Sequence, residues 1–298
     1  MEHPDDQRGY YGYQCLALAI KKRPGFAGYL YVNDDMIVNW WTMLGLNKTK
    51  IWTGSKWKFE GSIQIGTPAQ SLWWKRADSA LRCTEAFKEI ENDGKSGAQM
   101  QQFFKNTYNK RICVQAWSDI IYIPYVHSEL FAKLSTIFYD HLVFLEAAVQ
   151  TIIAFLDDTQ NVTLLNGLYL PDKVGYNVDL KNPKVAWQRY SIDMTFIHPY
   201  KLAGYNNANT KIFKELLVDV SDEIVKTSCL DIVTTNKQRR KCKKIQMGII
   251  FMKIRLGLIW SADFTSPCLA GTFLQRHRFS SGPSGYSGYS QNTLAFHQ

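Results

Sequence analysis

Apolar residues recur at helical spacing through Tyr10, Tyr13, Leu16, Ala17 and Ile20, and the pattern stops at a Lys-Lys-Arg run followed by Pro24-Gly25. A helix is predicted there. Directly after it, Gly28-Tyr-Leu-Tyr-Val-Asn33 is a short, β-prone apolar run of the kind buried in a parallel sheet, and it ends abruptly in Asp34-Asp35. Short strands are predicted over residues 52–65. A helix starts at Thr67-Pro68 and runs through Leu81 and Phe87 to Asn92, followed by a second over residues 98–108. Ile120-Ile-Tyr-Ile123 before Pro124 reads as a strand, and residues 128–139 and 144–156 as two helices. In the latter, Leu145, Ala148, Val149, Ile152, Ile153 and Leu156 form the apolar stripe, with Glu146 and Gln150 on another face. Strands over 162–170 and 189–197 and an amphipathic helix over 210–226 complete the regular pattern, which ends near Ser228. The predicted class is α/β, a mixed sheet flanked by helices, with residues 1–228 as the folded domain. Residues 229–298 are read as a basic, Gly/Ser-rich tail that is largely disordered.

Charge sharpens this division. The chain of 298 residues carries a formal net charge of +9, but residues 229–298 hold ten Lys or Arg against two Asp, so the first 228 residues are almost neutral. Nucleic acid is therefore not an expected partner, and a nucleic-acid-binding module rests on the tail alone. With 46% hydrophobic and 20% charged residues the chain is globular rather than disordered throughout. It contains no apolar run long enough to span a membrane and no signal-peptide pattern at its start. The six cysteines form no Cys-x-x-Cys pair, which argues against a zinc ribbon or a thioredoxin-like site. Asn47-Lys-Thr and Asn161-Val-Thr fit the N-glycosylation acceptor pattern, which points to a secretory lumen but also arises by chance in many chains of this length, and the redox compartment stays open. No glycine-rich phosphate loop is present, which disfavours a kinase, a P-loop ATPase or a simple dinucleotide dehydrogenase.

Candidate chemistry gathers at strand ends. Asn33-Asp34-Asp35 places two carboxylates at the carboxyl end of a buried strand, where open α/β sheets bind ligands and where Mg²⁺ or Mn²⁺ bridging to a diphosphate would balance the charge. A turn in which Asp caps the next element fits the same residues. His198-Pro199-Tyr200-Lys201 offers an imidazole ligand with a phosphate-binding ammonium three residues on, or a structural histidine. Glu146 suits a base that deprotonates a hydroxyl, or a partner for its helix dipole. Trp40-Trp41 and Trp73-Trp74 suit core packing better than sugar stacking.

The segments GYLYVNDDMIVNWW and KTKIW, followed in order by SDIIYIP, HLVFLEAAVQTI and FIHPYKL, resemble the STELLO-type glycosyltransferase-like family, a GT-A group distantly similar to exostosin-type enzymes. The resemblance spans residues 9–215. It implies a partial GT-A-like, Rossmann-like sheet and a metal-dependent transfer of sugar from a nucleotide-diphosphate sugar to a glycan or other hydroxyl acceptor. Asp35 then matches the direct metal ligand, Asp34 a group near the ribose or the metal-bound water, and His198 the carboxyl-terminal metal ligand. Lys201 would steady the leaving diphosphate, and Glu146 falls at an acceptor-side carboxylate. The cofactor implied is Mn²⁺ or Mg²⁺, and the location the Golgi lumen, in a type II membrane protein whose anchor is not in this chain. Two departures stand out. Asn33 replaces the Asp of many GT-A motifs, and only 32 residues precede it, so the chain reads as a fragment lacking the N-terminal nucleotide-binding half. The alternative is a non-catalytic interaction protein on a truncated glycosyltransferase scaffold.

Overall fold

The computed structural model describes residues 10–33, 35–55, 62–66, 79–93, 97–170, 189, 191 and 193–200, together with the backbone of 273–274. The predicted helix at 210–226, Trp73-Trp74, Asp34 and Lys201 lie outside these residues. The described fold is mixed α/β and divides into two compact units.

The first unit contains residues 1–34, 47–165 and 266–298. Its helices are α1 (Gly12–Lys22), α2 (Ser79–Asn92), α3 (Gly97–Asn106), α4 (Tyr125–Asp140) and α5 (Leu145–Leu156). Its main sheet joins β1 (Gly28–Val32), β3 (Trp52–Thr53), β6 (Ile120–Pro124), β7 (Thr163–Leu164) and β10 (Phe273–Leu274) in the order β10-β1-β6-β3-β7. Thus two residues of the segment read as tail form an edge strand. A separate ribbon pairs β4 (Ile63–Gln64) with β5 (Ile112–Cys113).

Strand β1 is buried along its whole length, as its apolar run predicts, but it is antiparallel to both β6 and β10 rather than part of a parallel sheet. A continuous apolar run reports burial on both faces and carries no information on strand direction. Register places Tyr29 opposite Ile123 and Tyr31 opposite Ile121. These four side chains share one face and join the core with Leu16 of α1, Phe131 of α4 and Val149 of α5. Helix α1 buries the stripe Tyr13, Leu16, Ala17 and Ile20 and carries Lys21 and Lys22 in its last turn, where cations suit the helix dipole. Pro24 bars its continuation, and Gly25, at φ +91°, turns the chain toward β1.

Helix α5 is buried at every position, so Glu146 and Gln150, expected away from the apolar stripe, are also enclosed. Gln150 spends its amide on Ser118 Oγ at 3.1 Å and Trp117 O at 3.3 Å, while Asn106 closes the end of the helix by donating to Ala154 O at 2.7 Å and Asp157 O at 2.8 Å. A disulfide between Cys83 of α2 and Cys113 of β5 ties helix to ribbon inside the core.

The second unit contains residues 35–46 and 166–265. Its three-stranded sheet has the order β2 (Ile37–Val38), β9 (Phe196–His198), β8 (Gly167–Tyr169), with β2 antiparallel and β8 parallel to β9. Gly167 lies opposite Phe196, whose ring occupies the space a Cβ would need. Asn39 braces the unit by donating to Met194 O at 2.7 Å, and Thr42 donates to Thr195 Oγ1 at 3.0 Å.

Candidate functional site

Position 35 meets position 198 through strand register. Ile37 pairs with Ile197 and Val38 with Phe196, so continuing the antiparallel ladder carries Asp35 to the turn that follows His198. The Tyr200 N–H accordingly donates to the Asp35 carbonyl at 2.5 Å. On the side-chain level, Asp35 Oδ1 lies 3.1 Å from His198 Nε2. His198 ends β9, a fully buried strand, and its ring meets Tyr169 edge-on at 5.6 Å between centroids. The two polar groups are mostly withdrawn from water, with side-chain exposures of 20% for Asp35 and 11% for His198. Each is thereby the natural counter-group of the other.

A carboxylate oxygen and an imidazole nitrogen form a mixed donor set of the kind that divalent transition metals accept more readily than Mg²⁺ does. Two ligand atoms at right angles on an octahedral ion, each about 2.1 Å from it, stand about 3 Å apart. The observed 3.1 Å fits such a pair of neighbouring ligands. It also fits a hydrogen bond from Nε2–H to the carboxylate, so a cation entering here must displace that proton.

The first residue of the acidic motif has another task. Asn33 belongs to the first unit, where its Nδ2 donates to Asp119 Oδ1 at 2.6 Å and its backbone N–H to Asp119 O at 2.8 Å. Tyr31 donates its hydroxyl to Asn33 Oδ1. The side chain is thus held on both sides, nitrogen toward a carboxylate and oxygen toward a phenol. An Asp at 33 would turn two carboxylates on each other, which accounts for Asn at this position. Asp119 is 3% exposed and precedes β6, whose first residue pairs with the last of β1. Sequence reasoning missed it, although the signal was present. Asp119 stands immediately before an apolar strand just as Asn33 stands immediately after one, and antiparallel pairing makes the two neighbours.

No family model, curated protein or solved structure matches the chain. The likeness to the STELLO-type family therefore rests on the ordered motifs. Of the residues it singles out, Asp35 and His198 stand together in the second unit, and Glu146 lies in the first turn of α5 in the first unit, 9% exposed. Asp34 and Lys201 lie outside the described residues. Trp40 and Trp41, read as core, are half-buried in a short 3-10 turn and meet edge-on at 6.0 Å. No helix among the described residues is long and apolar enough to cross a membrane.

Proposed function

We propose that this chain is a glycosyltransferase-like domain of GT-A type, which transfers a sugar from a nucleotide-diphosphate sugar to a hydroxyl acceptor with Mn²⁺ or Mg²⁺ as cofactor. The observation that carries the reading is the approach of Asp35 Oδ1 to His198 Nε2, two residues far apart in the chain and 3.1 Å apart in the fold. These residues would hold the cation, which would neutralise charge building on the departing diphosphate. The resemblance assigns Lys201 to the same leaving group and Asp34 to the ribose or a metal-bound water. The resemblance gives Glu146, in the first unit, the part of an acceptor-side base. The location that accompanies this reading is the Golgi lumen.

The test is titration calorimetry of the chain with Mn²⁺ and a panel of UDP and GDP compounds. Metal-dependent nucleotide binding is expected. Asp35→Ala and His198→Ala should each weaken it by about tenfold or more, which is about 1.4 kcal/mol. Equal binding by parent and variants in the presence of metal removes the site. Absence of metal and nucleotide binding favours a non-catalytic interaction protein on this scaffold.

A further inference from the structure

We infer that Asn47 is a site of N-linked glycosylation, so that this chain folds in an oxidising secretory lumen and carries an oligosaccharide on the turn leading into β3. The inference stands on the first unit alone and does not depend on the sugar-transfer reading.

The turn is built around the acceptor triplet. Asn47 and Thr49 are both exposed, and Asn47 Oδ1 accepts from the Thr49 backbone N–H at 2.9 Å and from its hydroxyl at 2.8 Å. The amide oxygen is thereby occupied and the threonine hydroxyl faces the amide. Nδ2 makes no hydrogen bond among the described residues and stays available on the surface. The backbone beneath is anchored. Trp52 Nε1 donates to Asn47 O at 2.8 Å, Tyr122 donates its hydroxyl to Lys48 O at 3.1 Å, and the two rings stack at 4.0 Å. An oligosaccharide on Nδ2 projects from a fixed turn into solvent and displaces nothing in the core.

The second, independent observation is redox chemistry. Cys83 and Cys113 are joined across the interior and have no exposed surface, and Cys15 is also disulfide-bonded. Such bonds form and persist in oxidising compartments, where N-glycosylation also takes place. The comparison site is Asn161, which is exposed too, but its Nδ2 donates to Asp157 Oδ1 at 3.1 Å and its threonine, Thr163, is built into β7. Asn47 is the acceptor that the fold leaves ready.

The reaction is an amide glycosylation by a lipid-diphosphate-linked oligosaccharide. Asn47 Nδ2 bonds to the anomeric carbon, the bond from that carbon to the diphosphate oxygen breaks, the lipid diphosphate leaves with the electron pair, and one amide proton passes to a base of the transferring enzyme.

For the test, the full chain is translated behind a cleavable secretory leader with microsomes, and the protease-protected product is digested with peptide N-glycosidase in heavy-oxygen water and mapped by mass spectrometry. A glycan-sized mobility step and a heavy-oxygen aspartate at position 47 are expected. Asn47→Gln and Thr49→Ala should each lose that step, and Thr49→Ser should keep it. Asn161→Gln should leave the label at 47 unchanged. Protected chain with an oxidised Cys83–Cys113 bond and an unlabelled position 47 overturns the inference, as does label confined to position 161.

Discussion

Substituting Asn33→Asp changes one heavy atom and tests the account of how the strand end is held. The Asp119 carboxylate receives the Asn33 amide at 2.6 Å, and Tyr31 fills the opposite side. Aspartate keeps the acceptor for Tyr31 but replaces the donor to Asp119 with a second carboxylate oxygen. The lost bond is to a charged group, a loss of about 1.5–3 kcal/mol. Repulsion between charges in this partly buried position would add more, but the pair can escape it by sharing a proton. Holding that proton at pH 7 on a group whose unfolded pKa is about 3.9 costs at most about 4 kcal/mol. The destabilisation is therefore expected at about 2–4 kcal/mol at neutral pH, a large part of the stability of a typical domain.

Its pH dependence has a definite sign. A carboxyl raised in the folded state by its neighbour contributes stability while protonated and loses it as pH rises through the folded pKa. The deficit of the variant should be small near pH 4, where a carboxyl O–H can replace the amide N–H as donor to Asp119, and should grow toward neutrality. Urea unfolding of parent and variant at about pH 4 and pH 7, followed by circular dichroism, measures both ends. Equal midpoints at neutral pH, or a deficit that does not shrink in acid, would refute the assigned hydrogen bond.

Two further outcomes follow from the first unit. The Cys83–Cys113 bond closes a separation of 30 residues, so replacing both cysteines by alanine should lower stability by about 3–4 kcal/mol, read as a lower urea midpoint under non-reducing conditions; an unchanged midpoint would contradict the assigned pairing. Burial pushes the Tyr122 hydroxyl up to about 12, and burial raises Tyr29 as well, so the folded chain holds these protons longer than the unfolded chain does. Stability should fall as pH climbs from about 10 toward 12, and Tyr122→Phe should flatten that alkaline decline in a series of denaturation midpoints.

The parts of the fold legible in the sequence are those with long or strongly periodic patterns. The stripe of α1, the buried runs of β1 and β6 and the apolar α5 all declare themselves. Strands β2 and β5, two residues each, contain too little alternation to register as elements. Their positions depend on pairing, with β9 and β4 respectively, which no local window reports. Strand direction was likewise beyond local reading. The disulfide could not be assigned from spacing, because six cysteines allow fifteen connectivities and Cys83 and Cys113 meet only after a helix and a ribbon have packed. The sequons at 47 and 161 were readable as strings, but only the fold separates an amide left open from one engaged by Asp157.

The acidic motif shows most clearly how a short string can mislead about division of labour. Read along the chain, Asn33, Asp34 and Asp35 form one cluster in which the asparagine looks like a weakened ligand. Hydrogen bonding assigns the outer two to different structural tasks. Asn33 closes the end of the β1–β6 pair through Asp119, and Asp35 meets His198 by way of the β2–β9 register. The two tasks need opposite chemistry. At 33 a donor must face a carboxylate, so a neutral amide serves and a second acid would repel. At 35 an acceptor must face an imidazole or a cation, so the acid serves and an amide would be a poor substitute. Asparagine at 33 is therefore no sign of a decayed metal motif. Substitutions at 33 are therefore expected to register in stability, through the bond to Asp119.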